Sequence, residues 1–234
     1  MEYLGEKLAM NNPFTISYYS EIINFAKKNN YKFVTLKEFI DLGYPSKNHF
    51  IMRHDLDTKP QTLKKMLDTE IFHEIRSSIF VRVTANQYNV LSYPVIDLLN
   101  FASENGFELG LHTSCVEYAK INELDTSKVL QLEYSILNSF FNIHGVAPHR
   151  DLNYMYNSLP YIEKNWDKIE EMGLKYQAYD KLITDNCVYI NEGFNPHLCW
   201  RKEKPEDVIP TGKSIYMLTH NHWWYDKNPF EEWQ

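Results

Sequence analysis

The chain has 234 residues, a length that suits one domain of the larger kind, and its 44% apolar content is enough for a substantial core. The net charge of −7 and the scatter of its basic residues argue against a nucleic-acid or anionic-membrane surface. No apolar run approaches the roughly 18–20 residues of a membrane span. The start, Met1-Glu2-Tyr3-Leu4-Gly5-Glu6, lacks an apolar signal core, so a cytoplasmic location is expected. Cys115, Cys187 and Cys199 are widely spaced and odd in number, which predicts neither a disulfide framework nor a CxxC metal pair.

Thr15 to Asn29 reads as a helix with Tyr18, Ile22, Ile23, Phe25 and Ala26 along one side. Tyr31 to Val34 is a short alternating strand, and Thr35-Leu36-Lys37-Glu38 has the form of a capping box opening a helix that stops near Gly43. Phe50 to Asp57 starts as an apolar run, as a buried strand does, and ends in ionisable side chains. Helix and strand then alternate: helix from Pro60 to Glu74, strand from Ser78 to Val83, helix from Tyr93 to Asn105, strand from Phe107 to His112. A long helix from Thr126 to Phe141 follows, with Val129, Leu132, Ile136, Leu137 and Phe140 on its apolar side. Gly145 to Arg150 is extended, Tyr161 to Met172 helical and Leu174 to Asp180 a strand. Residues 181–213 read as irregular, with short edge strands near Val188-Tyr189-Ile190, and Ser214 to His220 is the last clear strand. The pattern is that of an α/β fold with parallel strands.

Polar residues recur at the same end of strand after strand: Asp55 and Asp57, His112, His149 and Arg150, Asp180, and His220. In a parallel barrel all strand C-termini open on one face, and that face carries chemistry. Asp55 and Asp57 fall on the same side of an extended strand and repel unless a cation or donors offset them. The structural alternative is that Asp57 or Thr58 caps the next helix, with Pro60 in its first turn. Carboxylate and imidazole together suit a borderline divalent ion, zinc first, with cobalt, nickel, manganese or iron also able to serve. Asp57 and His112 are the first two candidate ligands. His149 is the candidate third, with Glu117 and His54 behind it. Asp55 would take a proton from water, His220 would protonate a leaving nitrogen, and Arg150 would hold Asp55 ionised. These parts describe metal-assisted hydrolysis of an amide or ester. A thiolate nucleophile at Cys115 lacks a readable base, and no G-x-S-x-G elbow, P-loop or G-x-G-x-x-G occurs.

The order of these motifs resembles that of the NodB-type polysaccharide deacetylases. Arg53-His54-Asp55-Leu56-Asp57 resembles a variant of that family's first motif, in which one residue separates the two acids, the first a base and the second a metal ligand. Gly110-Leu111-His112-Thr113 resembles the first half of its second motif, Ala147-Pro148-His149-Arg150 stands where its Arg-Pro motif is expected, and Leu218-Thr219-His220 resembles its last. The resemblance runs from about Phe50 to Trp224 and implies a distorted (β/α)7 barrel over about 49–226, after a helical lead-in over about 1–48 of the same domain. It also implies a substrate pocket lined by Trp223 and Trp224. Alternation puts His222 on the side of His220 if the strand continues, where it could stand in as the acid, and His54 is a further substrate-binding candidate. Four residues after His112, where the family has a second histidine, this chain has Val116. The expected activity is metal-dependent removal of an acetyl or formyl group from an N-acylated sugar, nucleotide- or lipid-linked. The alternatives are a metal hydrolase of a non-sugar amide and a carbohydrate-binding barrel that has lost catalysis.

Overall fold

The computed structural model describes residues 14–58, 60–151, 155–192 and 199–226. Its first half contains α1 (Ile16–Lys28), β1 (Lys32–Val34), α2 (Leu36–Asp41), β2 (His49–Leu56), α3 (Gln61–Phe72), β3 (Ser78–Val81), α4 (Tyr93–Glu104) and β4 (Glu108–Thr113). The second half contains α5 (Cys115–Ile121), α6 (Thr126–Asn138), β5 (Gly145–Pro148), α7 (Leu159–Lys164), α8 (Trp166–Glu171), β6 (Tyr176–Gln177), α9 (Lys181–Asn186), β7 (Val188–Asn191), α10 (Pro205–Val208) and β8 (Ile215–His220).

The named strands all pair in parallel, and the ladder runs β6-β5-β4-β3-β2-β8-β7. Read as a ring, this is the cyclic order of a seven-stranded (β/α) barrel whose ladder is open between β6 and β7. The distorted (β/α)7 architecture expected from the motif order is therefore present. β1 pairs with the first half of β2 on the edge that β3 occupies further along.

Strand alternation sorts the side chains into two faces. Ile51, Phe80, Ala147, Tyr176 and Tyr216 meet inside the barrel, joined by Leu36 and Phe39 of α2, which plugs the end where the strands begin. The predicted capping box starts that helix: the Glu38 N–H donates to Thr35 Oγ1 at 3.2 Å and the Thr35 N–H to Glu38 Oε2 at 2.8 Å. Outside, Leu63, Leu67, Leu99, Val129 and Leu137 pack on Ile79, Val81, Leu109, Leu111 and Val146. α1 lays Tyr19, Ile22, Ile23 and Ala26 against Phe50, Met52, Ile215 and Met217. Gly110 is required where it stands, because a Cβ there would overlap the ring of Phe80.

Several elements differ from expectation for local reasons. The helix predicted over Tyr161 to Met172 is two helices, broken at Asn165, whose side-chain amide donates to Tyr161 O at 2.8 Å. The predicted apolar side of α6 is rotated: Leu132 and Phe140 are exposed, while Glu133 is buried and held by the hydroxyls of Thr84 and Thr113. The strand expected from Leu174 to Asp180 shortens to two residues, and Asp180 caps α9 by accepting from the Leu182 N–H. Residues 181–213, expected to be irregular apart from short edge strands near Val188-Tyr189-Ile190, have that edge strand as β7, parallel to β8, and also contain α9 and α10. Among the described residues no helix is long and apolar enough to cross a membrane.

Candidate metal and catalytic site

The site lies where the strands end. β2 points Ile51, Arg53 and Asp55 into the barrel, and the chain carries Asp57 just past the strand. Arg53 is fully buried and grips Asp55 with a two-pronged fork, Nε to Oδ1 at 2.7 Å and Nη2 to Oδ2 at 2.6 Å. Its other donors go to the hydroxyls of Tyr216 at 3.0 Å and Tyr179 at 3.3 Å. The rings of Phe80 and Tyr179 lie 5.1 and 4.6 Å from the guanidinium carbon. Burial would raise the Asp55 carboxyl, but Arg53, then His112, hold it below the usual carboxylate range.

Asp57 is placed differently. α3 has Pro60 at its N-cap and no side-chain cap bond, so the capping role open to Asp57 in the sequence is not taken. Its Oδ1 is buried without a hydrogen-bond partner among the described residues. His112 Nε2 lies 3.1 Å and His149 Nε2 3.8 Å from that oxygen. His112 Nδ1 is 2.8 Å from the Ala147 carbonyl, which can only accept, so in the neutral ring the proton is on Nδ1 and a lone pair on Nε2 faces the carboxylate. Ligand atoms of Asp57, His112 and His149 all lie within 4.8 Å of one another. A carboxylate oxygen and two imidazole lone pairs turned towards one point repel unless a positive charge, a ring proton or a metal cation, stands among them. That donor set is the three-ligand kind used for a catalytic divalent ion of borderline character.

The surrounding charges sharpen the case. Asp55 has Arg53; Glu117 takes two hydrogen bonds from Arg82 Nη2, at 3.1 and 2.9 Å; Glu192 has His220. Each of these carboxylates has a cationic partner of its own. Among the described residues Asp57 has only the imidazoles, the third being His220 Nε2 at 3.6 Å from Oδ2. Burial opposes its charge, and His112 first among its neighbours holds its carboxyl well below the usual range.

His220 faces Asp55 across the ladder, since the two are direct partners in the β2–β8 register. Its Nδ1 is 2.8 Å from Glu192 Oε2, and both carboxylate oxygens accept from its backbone N–H at 3.0 and 2.9 Å. Glu192 also accepts from the Trp224 indole N–H at 2.5 Å. Burial pulls the His220 imidazole down, but Glu192, with Asp57, lifts it to about 9. At neutral pH this ring is protonated, with Nε2–H towards the site.

The structure therefore gathers Asp55, Asp57, His112, His149 and His220 in one place. It does not bring Arg150 there: Arg150 is exposed and bridged antiparallel to Asn157, and the arginine on Asp55 is Arg53. His54 also lies elsewhere. It points to the outer face, where its ring nitrogens meet Glu70 Oε1 and Thr219 Oγ1, each at 2.6 Å, and Tyr19 adds a further contact. Trp224 is wholly buried among Phe14, Tyr19 and Trp200, so it does not line a pocket. Trp223 and His222 are partly buried, their rings 4.5 Å apart, with the His222 ring 5.7 Å from that of His220. Burial, then His220, press His222 down to about 4, so at neutral pH its ring is the neutral imidazole and not the imidazolium that an acid role requires. Val116 turns to the core, while Glu117 beside it faces the site.

Glu192 and Arg82 have no signal in the motifs. Arg53 has one, because alternation puts it on the face of Asp55. No family model and no curated protein matches the sequence. Among solved structures, the chain is similar to a polysaccharide deacetylase from Bacillus cereus, with a TM-score of 0.45 and 16% identity over 74% of this chain and 78% of that one. It is also similar to a mutant of the peptidoglycan deacetylase PdaC from Bacillus subtilis, with a TM-score of 0.36 and 13% identity over 74% of this chain and 88% of that one.

Proposed function

We propose that this chain is a metal-dependent hydrolase that removes an acyl group from the nitrogen of an N-acylated sugar. The observation that carries the proposal is the unpartnered Asp57 oxygen facing two imidazoles, flanked by a carboxylate held ionised and an imidazole held protonated. Asp57, His112 and His149 would hold a divalent cation, zinc first by its ligand preferences. Bound there, the cation supplies Lewis acidity towards the acyl carbonyl and makes a water acidic. Asp55, fixed by Arg53, accepts the proton of the attacking water. His220 gives its Nε2 proton to the departing nitrogen while its Nδ1–H stays on Glu192. The sugar as substrate rests on the order of the sequence motifs; the geometry alone suits any hindered amide.

One observation favours a second reading, a carbohydrate-binding barrel without catalysis. Arg82 Nη1 lies 3.4 Å from His149 Nε2, so a guanidinium can satisfy the lone pair that a metal would take. Acetate or formate release from a panel of N-acylated sugars, measured with and without chelator, separates the two. Release that chelator abolishes, lost in Asp55→Asn while the metal stays bound, is the expected result. Sugar binding without release and indifferent to chelator would establish the second reading.

A further inference from the structure

The family motif that this chain resembles takes its third ligand from the residue four after the first histidine, where this chain has Val116. His149 comes instead from the end of β5, and a lone histidine on a new strand has no inherent reason to aim the correct nitrogen. We propose that Glu117, clamped by Arg82, is the positioning residue that makes His149 a metal ligand. The inference rests on the metal site proposed above.

The contacts fix the tautomer. Glu117 Oε2 lies 3.2 Å from His149 Nδ1 and, as an ionised carboxylate, can only accept. Arg82 Nη1 lies 3.4 Å from Nε2 and can only donate. Both neighbours therefore require a proton on Nδ1 and a lone pair on Nε2, the nitrogen nearer Asp57. Glu117 is itself held. Arg82 Nη2 donates to both of its oxygens, and Arg82 Nε donates to Ser114 Oγ at 2.6 Å, just before α5. Both side chains are 9% exposed, so water competes little for these bonds. A carboxylate behind a ligating imidazole raises its basicity and fixes its ring, and loss of such a partner typically costs about 10–100-fold in metal affinity. Glu117 thus serves this site through the imidazole and not as a ligand; the cluster of atoms within 4.8 Å of one another is Asp57, His112 and His149.

The test compares two charge-free variants that differ only in the acceptor: Arg82→Met with Glu117→Gln, and Arg82→Met with Glu117→Leu. Cobalt(II) affinity is read by titration of its visible absorption. The Gln form should bind about 10–100-fold more tightly than the Leu form, and the difference should vanish when His149→Ala is added. Equal affinities, or a difference that persists without His149, overturn the proposal. Nitrogen NMR of the wild type gives a second measurement that no unfolded variant can spoil. His149 should carry its proton on Nδ1 and shift at Nε2 when zinc is added; a proton on Nε2 overturns the assignment. Wild-type protein that takes up no cobalt removes the metal site itself, a failure distinct from intact uptake with no Gln–Leu difference.

Discussion

Arg53→Met tests whether the fold must neutralise Asp55 from within its own strand. Arg53 is fully buried and Asp55 is 2% exposed, so the substitution leaves a carboxylate in the barrel with no fixed cation. Breaking a buried pair from one side costs about 3–5 kcal/mol, because the surviving charge keeps its desolvation penalty and loses its partner. Against a total stability of about 5–15 kcal/mol the loss is large, and at about 2–4 °C per kcal/mol for a chain of this size it lowers the melting temperature by about 6–20 °C. Urea unfolding of the wild type, the single variants and the pair Arg53→Met with Asp55→Leu closes a double-mutant cycle. The pair should recover much of the loss, since it removes both charges. Acid gives a second check. In the wild type the Asp55 carboxyl sits below its ordinary 3.8, so its stabilisation is present above that pH and is lost as pH falls through the lowered value. In Arg53→Met burial dominates and raises the carboxyl, so the variant gains stability on acidification and the gap to wild type narrows. A loss under about 0.5 kcal/mol, the scale of an ordinary surface change, or a gap that stays constant between pH 7 and about 4, would refute the reasoning.

Glu192→Gln removes the main support for the His220 proton, so the alkaline limb of the pH–rate profile should move down from about 9 towards the ordinary 6.5. Activity falls as pH rises through that value, and an unmoved limb would exclude His220 as the proton donor. A cation at about 100 times its Kd should add about 2.7 kcal/mol to stability, seen as a rise in melting temperature that chelator reverses and Asp57→Ala lacks. Gly110→Ala should cost about 1–3 kcal/mol by overlap with Phe80, and Phe80→Leu in the same chain should return part of it. His54→Leu removes one of the two partners of buried Glu70 Oε1, leaving the Tyr19 hydroxyl, and should destabilise by about 1–3 kcal/mol, with kcat per folded molecule unchanged. A selective loss of kcat would return His54 to the site.

The residues that can be read from the sequence are those whose role is local. Asp57 and His112 stand at the ends of apolar runs that are buried on both faces, so strand and strand end are marked together. Alternation goes further than the motif comparison does: it places Arg53 with Asp55 and turns His54 away from both. Motif order instead draws attention to Arg150, which stands in the position of the family's arginine but lies exposed, bridged to Asn157. The partners beyond that reach are set by the ring of strands. Glu192 follows a four-residue strand on the edge of the ladder, just past the short strand signal near Val188-Tyr189-Ile190, and acts through a histidine 28 residues later on the next strand. Glu117 is separated from His149 by 32 residues and from Arg82 by 35, and the three meet only because β3, β4 and β5 are neighbours. The buried face of α6 is hidden for a related reason: the hydroxyls of Thr84 and Thr113 draw Glu133 inwards against the apolar period. A polar side chain satisfied across strands contradicts the pattern of its own element, so the residues that tune this site are the ones its sequence periodicity conceals.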